Sequence, residues 1–596
     1  MSVVTPPART GPSPEDVQAT RCAVLVDEWA RAGVRRAVVS PGSRSTPLVL
    51  ALARHEAVDI DVRLDERSAA FFALGAAVAG GRPVVVCTTS GTASAEVHAA
   101  VVEADQGRVP LVVCTADRPP ELHGVGAPQT IEQRGLYGSS PRFAVDLGVA
   151  DWASRGSWRA EASRIVAEAT GGPFGPGPVH VNLPLREPLL GTVRDAPAAR
   201  PDGAPWHRVD VAAPGAGDDA ARWAGALAGR RGLLLAGSGA GDPAALWALA
   251  DALGWPFAAD PLSGCRARRA GVVGALDAMV RSGAASGPLA PEVVVRFGSP
   301  WASRAVGEWC AALGPDVEQV VVDPWWRWPD PGRGAGVLVR ADPAAWSRAV
   351  TEAVHQAGTG LDPAWRGTWA AAEAAAWGAV EAWCARHRAL SEPMLARAVA
   401  ASVPADGLLV LSSSMPVRDV EWFVAPPTGG RRVVANRGAN GIDGVVSTAL
   451  GAAAAGGAPV TALVGDLAFL HDLTAWVRPA DADADCTVVV ADNGGGGIFS
   501  FLPQAGALCP DEFEGLFGTP QRVDVAEVAA GLGVEVADVT DTDALCTALG
   551  ARDGRSARVV RVRLPDRAAN VVCHDELHDA MGTAIQSSVG ALRPWA

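Results

Sequence analysis

The stretch PVTALVGDLAFLHDLTAWVRPADADADCTVVVADNGGGG (459–497) decides the fold that the sequence predicts. Two short runs rich in valine each end in polar residues, and the interval between those ends is about one strand-helix-strand crossover. Strands joined by such a crossover pair in parallel, so their carboxyl ends meet at one edge of a sheet. Asp466 and Asn493, which lie 27 residues apart, are therefore expected side by side.

The same rhythm of short apolar runs and alanine-rich segments recurs along the whole chain. It predicts strands in three blocks of sequence, at 35–40, 58–64, 82–89 and 108–116, then at 232–238, and then at 407–414, 431–436, 459–466 and 486–493. Helices are expected at 67–80 and 92–104 and from Pro243 onward. The predicted fold class is α/β, with three α/β domains whose parallel sheets are flanked by helices, the first and third related.

Two stretches rich in proline, alanine and glycine separate the blocks. They predict domains at 1–200, 206–360 and 367–596. The 596 residues, 49% of them hydrophobic, suffice for several large cores.

The composition excludes several classes of protein. A net charge of −14 disfavours nucleic acid and anionic membranes as partners, because both bind basic surfaces. No apolar run approaches the ~20 residues of a membrane span, and the first twenty residues lack the apolar core of a signal peptide, so we expect a cytoplasmic protein. All 51 basic residues are arginine, and without lysine neither a P-loop nor Schiff-base chemistry is available.

Asp466 and Asn493 form the strongest chemical signal in the sequence. A carboxylate, an amide oxygen and a nearby backbone carbonyl make a hard oxygen site that suits Mg²⁺, which prefers to share its ligand shell with phosphate oxygens. The glycine run at 494–497 would let the backbone approach such a ligand closely. Either motif alone is more often only a turn, so the prediction rests on their spacing.

Gly465-Asp466 followed 27 residues later by an asparagine resembles the signature of thiamine-diphosphate enzymes. The resemblance implies thiamine diphosphate as cofactor and Asp466, Asn493 and Gly495 as ligands of Mg²⁺ or Mn²⁺. The chain departs from the usual pattern at Leu467, where many members have glycine, and at Asp492, where many have asparagine.

Glu66 lies in LDERSAAFF (64–72), where a strand is expected to end and an apolar helix to begin. A carboxylate facing an apolar helix has a raised proton affinity. By itself the motif is typical of an exposed helix start. It matches the catalytic glutamate of the family, whose role is a hydrogen bond to a ring nitrogen of the cofactor's aminopyrimidine.

Further motifs resemble one family within the thiamine-diphosphate enzymes, the synthases that join 2-oxoglutarate to isochorismate in menaquinone biosynthesis. The matching stretches are SPGSRSTPL (40–48), TADRPPEL (115–122), GAPQTI (126–131), FGSPWASR (297–304), SMPVR (414–418) and NRGANGIDG (436–444). Pro128 departs from the common asparagine. The match spans nearly the whole chain, though it is weak in the middle block outside 297–304.

The resemblance implies two sets of site residues. The cofactor would contact Glu66, Ser414, Ile442, Asp466, Leu467, Asn493, Gly495 and Ile498. The substrates would contact Ser43, Arg44, Arg118, Gln129, Arg304, Arg418 and Arg437. Arginine suits this task because each substrate carries two carboxylates, which a guanidinium group binds through two parallel hydrogen bonds.

The implied reaction is decarboxylation of 2-oxoglutarate and addition of the resulting succinyl carbanion to the conjugated ring of isochorismate. The resemblance also implies a homodimer or homotetramer with each active site between the first domain of one subunit and the third domain of another.

Three alternatives stay open from the sequence. One is another thiamine-diphosphate enzyme, such as an acetohydroxy-acid synthase or a simple decarboxylase, which needs fewer arginines for carboxylates. The second is a nucleotide-dependent oxidoreductase using the glycines at 237–241, whose spacing differs from the dinucleotide fingerprint. The third is a catalytically silent binding subunit, which intact Glu66, Asp466 and Asn493 disfavour.

Overall fold

The computed structural model describes residues 11–209, 219–358, 363–477, 484–551 and 556–590. Their strands form three six-stranded sheets, and every pair of neighbouring strands is parallel. The predicted fold class, three α/β domains with parallel sheets, is confirmed.

The first sheet has strands β1 (Arg36–Val39), β2 (Asp59–Val62), β3 (Val84–Thr88), β4 (Leu111–Asp117), β5 (Phe143–Asp146) and β6 (Val179–Pro184). The helices of this segment are α1 (Pro14–Arg31), α2 (Thr46–Ala53), α3 (Glu66–Gly80), α4 (Thr92–Glu96), α5 (His98–Gly107) and α6 (Trp158–Thr170). The expectation of one helix over 92–104 is wrong. The chain turns at Val97, which is fully buried and has a ψ of −5°, so packing overrides a composition that favours one helix.

The second sheet has strands β7 (Gly232–Ala236), β8 (Phe257–Ala259), β9 (Val272–Val273), β10 (Val293–Phe297), β11 (Glu318–Val322) and β12 (Val337–Val339). The helices are α7 (Ala220–Leu227), α8 (Pro243–Leu253), α9 (Leu276–Arg281), α10 (Arg304–Ala312), α11 (Pro343–Ala357) and α12 (Pro363–Arg386). Asp242 caps α8 at the predicted start, where its carboxylate accepts a hydrogen bond from Ala244 N.

The third sheet has strands β13 (Leu408–Leu411), β14 (Arg432–Ala435), β15 (Val460–Gly465), β16 (Cys486–Asp492), β17 (Glu535–Val539) and β18 (Ala557–Arg563). The helices are α13 (Glu392–Ser402), α14 (Met415–Phe423), α15 (Val445–Gly456), α16 (Asp466–His471), α17 (Gln504–Ala507), α18 (Pro510–Phe513), α19 (Val525–Gly531), α20 (Thr542–Gly550) and α21 (Arg567–Gly590).

The strand orders show which sheets are alike. The first sheet has the order β2-β1-β3-β4-β6-β5, and the third repeats it as β14-β13-β15-β16-β18-β17. The second has the different order β9-β8-β7-β10-β11-β12, which is that of dinucleotide-binding sheets. The similarity that the sequence rhythm suggested between the first and third blocks therefore extends to topology.

The glycines after β7 pack against protein. A Cβ on Gly237 would lie 1.8 Å from the Ser299 carbonyl oxygen, and Ser299 N donates to the Ser238 carbonyl at 2.8 Å. The acidic cap of the following helix, Asp242, pairs with Arg348. A carboxylate at that position opposes a diphosphate, so these contacts give no support to a nucleotide-binding loop.

The chain divides into two compact units, whose boundaries differ from those of the three sheets. The first holds Met1–Val211 together with Asn436–Gly457 and Asp472–Ala484, and the second holds the remainder. In the first unit, α15 packs closely along α3. The second unit contains the second and third sheets with most of their helices. The predicted domain boundaries stay a prediction.

Two further features concern membrane-spanning helices and the state of the cysteines. Among the described helices, none combines the length and apolar character needed to cross a membrane. All ten cysteines lie in described segments and carry free thiols.

Candidate active site

The ends of β15 and β16 lie side by side, as the spacing predicted. Gly465 pairs with Ala491 in the ladder, so Asp466 and Asn493 follow adjacent strand ends. The Asp466 carboxylate accepts two backbone hydrogen bonds, Oδ1 from Leu467 N and Oδ2 from Gly495 N, both at 2.7 Å. These two bonds fix the carboxylate against the glycine run.

Asn493 presents an oxygen that no group in the described part of the chain contacts by a hydrogen bond. Its Oδ1 atom is buried and has no hydrogen-bond partner, whereas its Nδ2 atom donates to Glu392 Oε1 at 2.6 Å. An orphaned buried amide oxygen beside the strand end that carries Asp466 fits a hard divalent cation. The residues present thus fit the divalent metal that the resemblance implies.

Burial raises the pKa of Asp466 to about 6, and Asp492 contributes in the same direction. A bound divalent cation would compensate this carboxylate. Gly495 has a φ of +137°, and a Cβ there would lie 2.2 Å from the Gly518 carbonyl oxygen. Only glycine fits this position without displacing the backbone.

Asp492, the departure from the family pattern, is neutralised by the protein. Its Oδ2 atom accepts a hydrogen bond from Arg561 Nε at 2.7 Å, and Arg561 also pairs with Asp524. The negative charge at this position is thereby compensated within the described structure.

Sequence reasoning missed a group of buried polar residues behind Asn493. Glu392, the first residue of α13, is 4% exposed, and burial followed by Asp419 raises its pKa to about 7. Asp419 accepts a hydrogen bond from His574 Nε2 at 2.7 Å. The only sequence signal for Glu392 was the helix start Ser-Glu-Pro at 391–393, which says nothing of a partner 101 residues away.

Ser414 and Arg418 lie at the turn from β13 into α14. Ser414 has a φ of +75°, an uncommon conformation for a residue with a side chain. Arg418 Nη1 donates to the Ser414 carbonyl at 2.6 Å, and burial lowers the pKa of its guanidinium. Ile498, on the other side of the glycine run, is half-buried against the core of the second unit.

In the first unit, Glu66 is the first residue of α3. Asp65 caps the helix, because its Oδ1 atom accepts a hydrogen bond from Ser68 N at 2.8 Å. Burial raises the pKa of Glu66, and the nearby charges of Asp65 and Glu96 add to the effect. The direction agrees with the raised proton affinity expected from the sequence.

Arg44 and Arg118 form a cationic pair in the first unit. Arg44 is 8% exposed; its Nη1 atom donates to the Leu185 carbonyl and its Nη2 atom to Glu187 Oε1, both at 2.9 Å. The pKa of Arg118 is lowered, first by burial and then by the charge of Arg44, and its buried Nη1 atom has no hydrogen-bond partner. Arg44 is paired with Glu187, so the donor that suits an anion is the Nη1 atom of Arg118.

The remaining predicted residues occupy varied positions. Ser43 and Gln129 are exposed in the first unit, Gln129 with a φ of +52°. Arg304 begins α10 with its side chain 75% exposed and paired with Glu308. No described contact joins it to other predicted residues of the second unit.

Arg437 and Ile442 belong to the loop before α15, which Glu103 holds in place. The two carboxylate oxygens of Glu103 accept hydrogen bonds from Gly438 N and Ala439 N at 2.7 and 2.6 Å. The sequence carried no sign of this contact, because Glu103 lies 335 residues before Gly438.

Comparisons with known families cover most of the chain. Residues 20–136 match the N-terminal binding domain of thiamine pyrophosphate enzymes, thiamine pyrophosphate being another name for thiamine diphosphate. Residues 202–411 match the middle domain of these enzymes, and residues 423–562 match their C-terminal binding domain.

Individual relatives are similar over almost their whole length, and each is named 2-succinyl-5-enolpyruvyl-6-hydroxy-3-cyclohexene-1-carboxylate synthase. The relative from Chloroflexus aurantiacus is 39% identical, over 94% of this chain and 96% of the relative. The relative from Halobacterium salinarum is 41% identical, over 92% and 94%. The relative from Myxococcus xanthus is 40% identical, over 96% and 98%.

Proposed function

Because the chain belongs to the family of 2-succinyl-5-enolpyruvyl-6-hydroxy-3-cyclohexene-1-carboxylate synthases, a family of thiamine-diphosphate-dependent transferases, we propose that it joins 2-oxoglutarate to isochorismate with release of CO2. The observation that carries the proposal is identity of about 40% over more than nine-tenths of the chain, together with an intact Asp466–Asn493 pair. The product would be the compound after which the relatives are named.

Asp466, Asn493 and the backbone of Gly495 would hold Mg²⁺ or Mn²⁺ and, through it, the diphosphate. The orphaned Oδ1 atom of Asn493 supports this assignment. Cofactor contacts from Ser414, Ile442, Leu467 and Ile498 are part of the proposal.

Glu66 would hold a proton between its carboxyl group and a ring nitrogen of the cofactor. Its raised pKa supports this role, because a carboxyl group that ionises less readily shares a proton more evenly with a weakly basic nitrogen. The cofactor itself supplies the stabilisation of negative charge that decarboxylation and carbon–carbon bond formation require.

The arginines would bind the carboxylates of the two substrates. Arg44 and Arg118 are supported by their proximity and by the unused donor of Arg118. Arg418 is supported by its burial beside the strained turn at Ser414. Arg304 and Arg437, with the polar side chains Ser43 and Gln129, are proposed from the family motifs alone.

We further propose that the chain works in the cytoplasm as a homo-oligomer, with Glu66 of one subunit serving the diphosphate site of another. The family resemblance supports the assembly, and ten free thiols agree with a reducing compartment. A monomer would then be inactive.

One assay tests the reaction. CO2 release from 2-oxoglutarate is measured with and without isochorismate in Mg²⁺ and thiamine diphosphate, and the product is analysed by mass spectrometry. We expect release to depend on both substrates and a product that combines their carbon skeletons less CO2. Turnover of pyruvate at a rate equal to that of 2-oxoglutarate would instead favour the acetohydroxy-acid synthase alternative.

The metal site has its own test. Asp466→Ala should abolish retention of thiamine diphosphate in Mg²⁺, because the diphosphate loses the carboxylate that anchors its cation. Asp251→Ala is the matched control, since Asp251 lies in the same unit but pairs with Arg366, away from the candidate metal site. Calorimetry showing wild-type cofactor affinity in Asp466→Ala would refute the assignment.

A further inference from the structure

The side-chain amide of Asn493 can adopt two orientations related by a flip, and only one of them can coordinate a cation. With Oδ1 toward the metal site the amide offers a lone pair, whereas the flipped amide would direct two N–H groups at a positive charge. An unrestrained asparagine would sample both orientations. Something in the structure must select between them.

Glu392 makes this selection. Its Oε1 atom accepts a hydrogen bond from Asn493 Nδ2 at 2.6 Å, and in its ionised form, which a neighbouring cation would favour, the carboxylate can only accept, so Oδ1 is excluded from that side. The opposite atom, Oδ1, is then left buried and without a partner. The contact is short for a hydrogen bond from an amide nitrogen, which favours this orientation of the side chain.

Glu392 is itself held firmly. It lies at the first position of α13, whose N-terminus is capped by Ser391 through a hydrogen bond from Met394 N to the hydroxyl group. The helix dipole favours a negative charge at this position. Asp419, a negative charge that acts on Glu392, accepts a hydrogen bond from His574 Nε2 at 2.7 Å.

We infer that Glu392 is a positioning residue that orients Asn493 so that its amide oxygen faces the divalent cation. This inference rests on the proposed function, because it assumes that Asn493 is a metal ligand. Residues that orient metal ligands in this way typically change metal affinity about 10- to 100-fold when they are replaced.

The test measures metal binding separately from activity. Mg²⁺ is titrated calorimetrically into the metal-free full-length protein at saturating thiamine diphosphate. Glu392→Met keeps the approximate volume and removes the acceptor, so we expect affinity for Mg²⁺ to fall about 10- to 100-fold. Glu392→Gln should lose less affinity for Mg²⁺, because the glutamine oxygen can still accept a hydrogen bond from Asn493 Nδ2. Some affinity is still lost, because the glutamine amide group can also donate to the flipped asparagine.

Glu373 provides a matched control in the same unit. Its carboxylate accepts hydrogen bonds from Gly274 N, Ala275 N and Trp377 Nε1, and none of these groups belongs to the candidate metal site. Glu373→Gln should therefore leave affinity for Mg²⁺ unchanged. Thermal unfolding of each metal-free variant shows whether it is folded.

A double variant distinguishes orientation from loss of structure. In Glu392→Gln with Asn493→Asp the polarity of the contact is reversed, since the glutamine amide now donates to one aspartate oxygen and leaves the other for the cation. Asn493→Asp alone places two carboxylates in contact and should bind Mg²⁺ less well than the double variant. Recovery of affinity in the double variant supports the inference; no recovery overturns it.

The outcomes separate this inference from the proposed function. If Asn493→Ala retains wild-type affinity for Mg²⁺, Asn493 is not a ligand and the proposed metal site fails. If Asn493→Ala weakens binding while Glu392→Met does not, the metal site stands and the role of Glu392 is overturned.

Discussion

The carboxylates near the ends of β15 and β16 differ in what compensates their charge. Asp492 pairs with Arg561, and Glu392 contacts the Asn493 amide. Among the described groups, Asp466 accepts hydrogen bonds from two backbone N–H groups, and Arg567 acts on its charge without forming a described ion pair with it. A buried charge without a directly paired cation costs free energy, which a bound cation would offset. This contrast supports the proposal that a divalent cation binds beside Asp466.

The role of Glu66 can be tested by a change of one atom. Glu66→Gln keeps the shape of the side chain but removes the carboxyl group that shares a proton with the cofactor. We expect exchange of the thiazolium proton for deuterium, followed by NMR, to slow by orders of magnitude in a folded protein. Glu96→Gln is the control, because it removes only a neighbouring charge. Wild-type exchange in Glu66→Gln would contradict the role.

Arg418 is the arginine whose replacement should be most informative. Arg418→Ala should lower the specificity constant for 2-oxoglutarate or isochorismate by about 30- to 1000-fold, since a charge-assisted contact to a carboxylate is lost. Cofactor affinity should stay near normal, and Arg418→Lys should restore activity only in part, because lysine lacks the planar fork. Steady-state kinetics with each substrate varied provides the measurement, and unchanged constants would remove Arg418 from the substrate site.

At the scale of elements, the contact between α3 and α15 depends on glycines. A Cβ on Gly75 would lie 1.9 Å from the Thr448 carbonyl oxygen, and one on Gly451 would lie 1.9 Å from that of Phe72. The two backbones can approach this closely only because both positions lack a side chain. This contact joins the helix that begins with Glu66 to the helix that follows the Arg437 loop.

Gly75→Ala should therefore destabilise the first unit by about 1–3 kcal/mol or more, because the added methyl group forces the helices apart. Gly80→Ala, on the same helix, has its nearest neighbour at 3.9 Å and should be neutral or slightly stabilising. Urea denaturation of the two variants compares them directly. Equal midpoints would show that the helix pair tolerates the extra volume.

At the scale of the whole molecule, buried ionisable groups make stability depend on pH in opposing directions. Burial raises the pKa of Asp472 to about 6, so this carboxyl group contributes more stability as the pH falls. Burial lowers the pKa of His578 to about 3, so the unfolded chain binds its proton first and stability falls with pH below about 6.5. Single variants are needed to separate these contributions.

The free energy of unfolding of His578→Leu, relative to that of the wild type, should therefore rise as the pH falls. Between pH 6.5 and 3 the difference in unfolding free energy should change by about 1.4 kcal/mol per pH unit in favour of the variant. Thermal unfolding from pH 8 to pH 4 measures this difference, and the pH 8 value gives the packing effect alone. Parallel pH profiles for the two proteins would show that His578 titrates alike in the folded and unfolded states.

The sequence by itself determined nine of the eighteen described strands, the parallel sheets and the neighbourhood of Asp466 and Asn493. These features depend on local patterns, since a run of valines ending in polar residues and one crossover length place two strand ends together. The predicted runs at 459–466 and 486–493 contain β15 and β16. Family motifs likewise led to the cofactor and to the synthase family, because each motif is contiguous in the chain.

Only the tertiary structure decided which groups hold these residues. Glu392 reaches Asn493 over 101 positions, and Glu103 reaches Gly438 over 335. Packing also ended α4 at Val97, although composition suggested one longer helix. Hydrogen bonds and burial act between groups that are close in space, and no pattern in one sequence records which distant residues the fold will bring together.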